Sequence, residues 1–260
     1  MSDFADVTAV RRRGDSLVFD ADLHPRWSIG GKPNGGYLLA ILSRAACEVV
    51  DTTHPLAISG HYLRAPEAGP AEVRTEIVRN GRRVSTSRAT LWQGDKPCID
   101  AMVTSGELHD VHAEWVGGST PQMPPPEECV DPLHPHFDVE LFDHTELRLD
   151  PASSPFPSPS GSALIRFWFR LRDGTEPDVL SLILAVDSGP PTVFNLEKYG
   201  WAPTVELTVL LRGIPAPGWL RCEARTEVFA DGWFDEGATV WDSTGRLVAQ
   251  SRQLALAATT

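Results

Sequence analysis

The sequence predicts an α+β protein built from two tandem units, each a buried helix wrapped by a curved antiparallel sheet. Three observations lead there. A pattern of strand-like residues recurs at a spacing near 150 residues, an apolar helix precedes each copy, and a proline-rich stretch lies between the copies. Thr75-Glu76-Ile77-Val78, followed by Asn80-Gly81, returns 151 residues later as Thr226-Glu227-Val228-Phe229, followed by Asp231-Gly232. Ala89-Thr90-Leu91-Trp92 returns 149 residues later as Ala238-Thr239-Val240-Trp241, and Leu63-Arg64 returns 148 residues later as Leu211-Arg212. Three matches in one order mark a duplicated unit.

Residues 35–50 form the first helix. The segment is apolar around nearly its whole circumference, which marks a buried helix, and its charges Arg44 and Glu48 are four apart and can pair. Strands follow at 72–79, 84–93 and 98–106, the first two joined through Asn80-Gly81, a dipeptide suited to the positive φ of a tight hairpin. Residues 121–135 hold six prolines, so the segment is neither helix interior nor central strand. It is read as a linker between an N-terminal unit, 1–120, and a C-terminal unit, 136–260. Residues 151–160, with four prolines and four serines, read as a mobile loop. The second helix is expected over 177–186, with Pro177 in its first turn and Gly189-Pro190-Pro191 ending it. Strands over 203–212, 221–229, 234–241 and 247–257 complete the second unit.

Composition narrows the function. With 260 residues, 42% of them hydrophobic, the chain can bury a large core. A net charge of −12, from 23 basic and 35 acidic residues, argues against nucleic acid as the partner. Cys47, Cys98, Cys129 and Cys222 stand far apart, without zinc-ligand or CxxC spacing, and read as reduced thiols of a cytoplasmic protein. No apolar run is long enough to span a bilayer. The GxSxG, GxxxxGK[ST] and HExxH motifs are missing, and His109, His112, His134 and His136 read as solvated loop residues.

Three places could carry chemistry. Asn34-Gly35-Gly36 opens the first helix, either as a plain turn or as free N–H groups that could polarise a carbonyl. Asp187 follows the apolar run 182–186; either it faces water, or burial and the negative end of its own helix raise its pKa and make it a base. Gln253 shares a strand face with Leu247, Ala249 and Ser251 and would need partners if buried. Strict alternation puts Thr204 with Glu206 and Thr208 on a polar face, opposite the apolar one, and does not single it out.

The chain resembles the acyl-CoA thioesterase II family, the double-hotdog thioesterases, over nearly its whole length. The likeness rests on Asn34-Gly35-Gly36, His61-Tyr62-Leu63-Arg64, Asn80-Gly81-Arg82-Arg83-Val84-Ser85 with Arg88, and Gln93-Gly94-Asp95-Lys96-Pro97. In the second unit it rests on Ala185-Val186-Asp187, Pro203-Thr204-Val205-Glu206, and Gly245-Arg246-Leu247-Val248-Ala249 running into Gln253. The resemblance implies a double hotdog that hydrolyses acyl-CoA to fatty acid and CoA. It implies a water held by Asp187, Thr204 and Gln253, with no metal or separate cofactor, because coenzyme A is part of the substrate. It departs where the family's Asp-His pair is replaced by Glu206-Leu207. Asn34, Gly35, Gly36 and His61 are candidate substrate contacts. So are Arg82 and Arg83, which either meet the CoA phosphates or merely solubilise an edge. The family likeness also implies a homodimer or larger homo-oligomer. A hotdog dehydratase or hydratase, or a non-catalytic acyl-CoA or acyl-carrier binding module, are the alternatives.

Overall fold

The structure, a computed structural model, describes residues 4–132 and 139–258; His134, His136 and residues 133–135 of the proline-rich stretch lie outside them. In the first half, β1 (Val18–Leu23) precedes α1 (Gly35–Glu48), which is followed by β2 (His54–Tyr62), β3 (Gly69–Arg79), β4 (Val84–Gln93) and β5 (Lys96–Gly106). In the second, β6 (Thr145–Leu149) and β7 (Leu164–Leu171) precede α2 (Val179–Ala185), β8 (Thr204–Leu211), β9 (Leu220–Arg225), β10 (Trp233–Trp241) and β11 (Leu247–Leu256). These strands form one antiparallel sheet in the order β1-β3-β4-β5-β2-β8-β11-β10-β9-β7-β6. Each half repeats the same path, outer strand to meander to the strand after the helix. This is a double hotdog, the α+β architecture that the sequence predicts.

The halves meet where β2 pairs with β8, Ile58 opposite Val209 and His61 opposite Glu206. At the centre of that seam the hydroxyls of Ser59 and Thr208, residues 149 apart in sequence, hydrogen-bond at 2.8 Å. A local two-fold axis therefore passes between them. The same spacing holds deeper in the meanders: Glu72 pairs with Trp92 as Arg221 pairs with Trp241. Ala224 faces Ala238 as Thr75 faces Ala89, so Thr226-Glu227 is not the structural counterpart of Thr75-Glu76 but lies two residues beyond it, past the end of β9.

The two helices pack against each other and against the concave side of the sheet. Tyr37, Leu38, Leu39, Ala40, Ile41 and Leu42 of α1 are fully buried, as are Leu182, Ile183 and Leu184 of α2. α1 stops at Glu48 rather than residue 50. α2 is shorter than 177–186 because its start is set by a cap and not by proline. The Asp178 carboxylate accepts the Ser181 N–H at 2.7 Å and the Ser181 hydroxyl accepts the Asp178 N–H at 2.8 Å, a reciprocal box that leaves Pro177 outside. The turn at Asp231-Gly232 has the expected positive φ values of 51° and 78°, but neither Asn80 nor Gly81 does. A bulge between Ile77 and Arg79 lengthens that connection to four residues, held by the Ser85 hydroxyl donating to Asn80 Oδ1 at 2.9 Å. Residues 151–160 are tied down rather than loose. Asn195 donates to the Ser153 carbonyl at 2.9 Å and accepts the Ser160 N–H at 2.8 Å, and Phe156 is turned into the cavity described next.

Candidate active site

α1 begins where α2 ends, and the contact between them assembles the site. Asn34 caps α1: its Oδ1 accepts the Tyr37 N–H at 2.9 Å. The other end of the same amide reaches across the halves. Nδ2 donates to the Asp187 carbonyl at 2.8 Å and to Asp187 Oδ2 at 3.1 Å. The Gly36 N–H donates to Asp187 Oδ2 at 2.8 Å. The second half's carboxylate therefore sits on the first half's helix start.

The two glycines are explained by that approach. A Cβ on Gly36 would lie 2.5 Å from the Ile183 carbonyl oxygen and 3.0 Å from the Asp187 Cβ; one on Gly35 would lie 2.8 Å from Asp187 Oδ2 and 2.9 Å from the Tyr62 hydroxyl. The glycines let two helices touch backbone to backbone. The Gly36 N–H, which the sequence leaves as a possible polariser of a carbonyl, is held by Asp187 instead.

Asp187 has its pKa raised to about 7. Burial is the main cause, and the nearby charge of Glu236 adds to it, while the hydrogen bonds from Gly36 and Asn34 pull the other way. Tyr62 lies against this carboxylate, with its hydroxyl buried and without a hydrogen-bond partner. Burial and the charges of Asp187 and Glu206 push that phenol well above its ordinary pKa.

Thr204 and Gln253 form the other wall. Thr204 donates to Gln253 Oε1 at 2.8 Å. A β-bulge between Thr204 and Glu206 makes this contact. Thr204 pairs with Ala255 and Leu207 with Gln253, so all four side chains share the inward face. Simple alternation, which put Thr204 on the polar face with Glu206 and Thr208, fails at that extra residue. Behind Gln253 stands Glu236, which the sequence reading missed. Gln253 Nε2 donates to Glu236 Oε1 at 3.0 Å, and Glu236 Oε2 accepts both the N–H and the hydroxyl of Thr192 at 2.8 Å. Glu236 is 7% exposed, and burial raises its pKa. A signal was present, since the alternation of β10 puts Glu236 inward with Phe234 and Ala238.

Asp187, Thr204, Gln253, Glu236, Asn34 and Gly35 all line one cavity of about 630 Å³. Its remaining walls are largely apolar, with Leu38, Phe142, Phe156, Phe194, Phe234 and Leu256 prominent. Lys32 and Arg64 are its cationic residues, the former paired with Glu67. Gly36 stands just behind the wall. Three other candidates are elsewhere. His61 is exposed and points to the outer face of the sheet, opposite Glu206. Arg82 and Arg83 are exposed in the turn before β4, whose first residue Val84 pairs with Gly106, itself the partner of His54. They therefore stand at the far end of β2 from Tyr62, ~26 Å away at ~3.3 Å per residue. Among the described residues no group of three His, Cys, Asp or Glu is placed to hold a metal ion, and the four cysteines are buried and free. Among the described residues no helix is long and apolar enough to cross a membrane. His109 and His112 are exposed, as expected.

Comparison with known proteins identifies the family. The acyl-CoA thioesterase N-terminal domain matches residues 23–106 and the C-terminal domain residues 122–257. An uncharacterized protein of Mycobacterium tuberculosis is 34% identical, over 92% of this chain and 90% of its own. A candidate thioesterase II from Thermobifida fusca superposes with a TM-score of 0.91 at 34% identity, covering 100% of this chain and 98% of that one. A protein of unknown function with hot dog fold from Alicyclobacillus acidocaldarius superposes at 0.87 with 23% identity, over 100% and 99% of the two chains, and supports the fold alone. With both of its domains matched in order, the chain belongs to the acyl-CoA thioesterase family.

Proposed function

We propose that this protein hydrolyses acyl-CoA thioesters, with Asp187 as general base and the Thr204–Gln253 pair orienting the water. The observation that carries the reading is a carboxylate with a pKa of about 7 that shares a largely apolar cavity with a hydrogen-bonded Thr–Gln pair. An acyl chain fits the apolar walls, and its thioester carbonyl then lies among the polar groups. Asp187 Oδ1, which takes neither the Gly36 nor the Asn34 bond, accepts a proton from water as the oxygen attacks the carbonyl carbon. The tetrahedral oxyanion collapses, the C–S bond breaks, and the thiolate recovers the proton from the Asp187 carboxyl. A group near pH 7 suits both transfers, since a free thiol titrates near ~8.5. Positioning of the water supplies the rest of the acceleration.

Thiol release from acyl-CoAs of graded chain length tests this. Wild-type protein is expected to release CoA and Asp187→Asn to lose nearly all turnover; release of no thiol from any acyl-CoA overturns the reading. Hydration of an enoyl thioester without release supports the dehydratase alternative, and tight binding with neither reaction supports a binding module. The outer face of the seam, with Met102 42% and Leu254 41% exposed, is the proposed contact between copies in a dimer or larger assembly. Light scattering that gives only the 28.4 kDa monomer at micromolar concentration overturns that part.

A further inference from the structure

A glutamine amide has a donor end and an acceptor end, and which end faces a hydroxyl decides what the hydroxyl can do. At Gln253 the choice is made by the groups behind it. Thr192 offers Glu236 a backbone N–H at 2.8 Å, and a backbone N–H is a donor that cannot turn over. The Thr192 hydroxyl adds a second donor to the same oxygen and is itself 2.6 Å from the Thr226 hydroxyl. The other oxygen of Glu236 takes Gln253 Nε2 at 3.0 Å. Gln253 thus has its carbonyl turned to Thr204, whose hydroxyl donates to it at 2.8 Å. Thr192, Glu236 and Gln253 are 0%, 7% and 9% exposed, so bulk water cannot substitute for any of these partners.

We propose that Glu236 is a positioning residue: its carboxylate fixes the Gln253 amide so that Thr204 directs its proton inward and keeps its lone pairs for the attacking water. This rests on the hydrolytic reading above and deepens it. With the proton of Thr204 committed to Gln253, the water must donate to Thr204, and the oxygen lone pair that attacks is left free to point at the carbonyl carbon. If the amide is reversed, Gln253 donates to Thr204, Thr204 turns its proton toward the water, and one of the water's two lone pairs is occupied while a proton acceptor for it is lost.

Glu236→Gln produces that reversal with almost no change of shape. The Thr192 N–H still requires an acceptor, so the new carbonyl takes that side and the new NH₂ faces Gln253. Gln253 then turns its carbonyl to the NH₂ and its own NH₂ to Thr204. The expected result is a fall in kcat of about 10- to 100-fold with KM within about two-fold. The acid limb of the rate profile also moves to lower pH, because the charge of Glu236 helps to raise Asp187. In a Thr204→Val background the same substitution should cost little more, since its effect runs through that hydroxyl. A purely structural role would instead lower the melting temperature, raise KM and leave the limb where it was. An active wild type with Glu236→Gln at wild-type kcat overturns the proposal, whereas an inactive wild type overturns the thioesterase reading. A second measurement needs neither activity nor the variant. In ¹⁵N-labelled wild-type protein, one slowly exchanging side-chain amide proton on Gln253 is expected; fast exchange of both overturns the proposal.

Discussion

The two halves build two helix-to-helix junctions, related by the axis through Ser59 and Thr208, and only one of them carries the polar set. Asn34 and Asp178 both cap a helix. Nine residues beyond Asp178 is Asp187; nine beyond Asn34 is Ser43, fully buried with its hydroxyl unpartnered. The bulge that turns Thr204 inward recurs between Pro55 and Ala57, but the residue it turns there is a proline. Glu236 pairs with Gln253 as Ser87 pairs with Val103, so the carboxylate and the amide are replaced by a serine and a valine. At the second helix position Gly36 corresponds to Leu180. A second cavity of about 550 Å³ does open there, lined by Ser43, Pro55 and Leu180 among others. The backbone devices, cap, bulge and cavity, are thus present twice, while the polar side-chain set is present once. Fold supplies the scaffold, and the side chains grafted on it decide the reaction.

Exchanging the proposed base and its counterpart in the other half should break the symmetry most. Asp187→Asn keeps the shape, removes the base and is expected to lower kcat ~10²–10⁴-fold, the usual worth of a positioned general base. Ser43→Ala, its counterpart, should leave kcat within two-fold. For the wild type, kcat/KM should rise with pH through about 7 as Asp187 loses its proton; a profile flat from pH 5 to 8 would remove Asp187 from the role. Thr204→Val and Gln253→Ala should each lose about 10- to 100-fold. The double variant should lose less than the product, because both groups orient one water. Steady-state thiol release reads all of these.

How much of this was legible in the sequence depended on which force set each feature. The duplicated sheet and both buried helices could be read because hydrophobic patterning and turn residues are local signals. Asp187, Thr204 and Gln253 line one cavity, and it is the family resemblance, not the strand pattern, that picks out Thr204. Pattern alone could not have found Thr204, because alternation holds only while pairing stays in register and the bulge at 204–206 breaks it. The glycines of Asn34-Gly35-Gly36 stand out in the sequence, but the cause at Gly36 lies 147 and 151 residues away, at Ile183 and Asp187. The alternation of β10 turns Glu236 inward with Phe234 and Ala238, but strand period alone does not say what a buried glutamate meets there. Its partners Thr192 and Gln253 lie 44 and 17 residues away.

Stability should follow the same asymmetry. A Cβ on Gly36 meets the Ile183 carbonyl at 2.5 Å, and neither backbone can yield cheaply. Gly36→Ala is expected to cost roughly 1–3 kcal/mol, the range for an overpacked contact, read as a lower urea midpoint at unchanged slope. Leu180→Ala at the corresponding place only deepens an existing cavity and should cost less.

The half-buried carboxylate of Asp187 should also be visible without any substrate. Its folded pKa, about 7, lies above the unfolded value of ~3.9. The folded state therefore holds its proton longer than the unfolded chain, and stability is lost as pH rises from about 4 to 7. Asp187→Asn removes this penalty. Its melting temperature relative to wild type should climb across that window and level off above it, by roughly 8 °C in all. A difference that stays constant with pH would mean that Asp187 is not held in its neutral form.

The smallest effect expected concerns the arginines. Arg82 and Arg83 sit at the far end of β2, beside the second junction rather than the polar one. A CoA whose thioester lies at Asp187 leaves the cavity past whatever cations line it, and those are Lys32 and Arg64. Arg64 donates to the Lys96 carbonyl and to Cys98 at 3.3 Å, which holds its guanidinium near the start of β5. Exposed charge contacts with phosphate are screened by salt and modest in size. Replacing Arg64 with alanine should therefore raise KM for acyl-CoA only a few-fold, more at low than at high ionic strength, with kcat unchanged. Replacing Arg82 and Arg83 together with serine should leave KM as it was at every salt concentration. The reverse result, with KM rising at the hairpin and not at Arg64, would place the nucleotide end of the substrate at the second junction, and the two halves would then divide binding from hydrolysis between them.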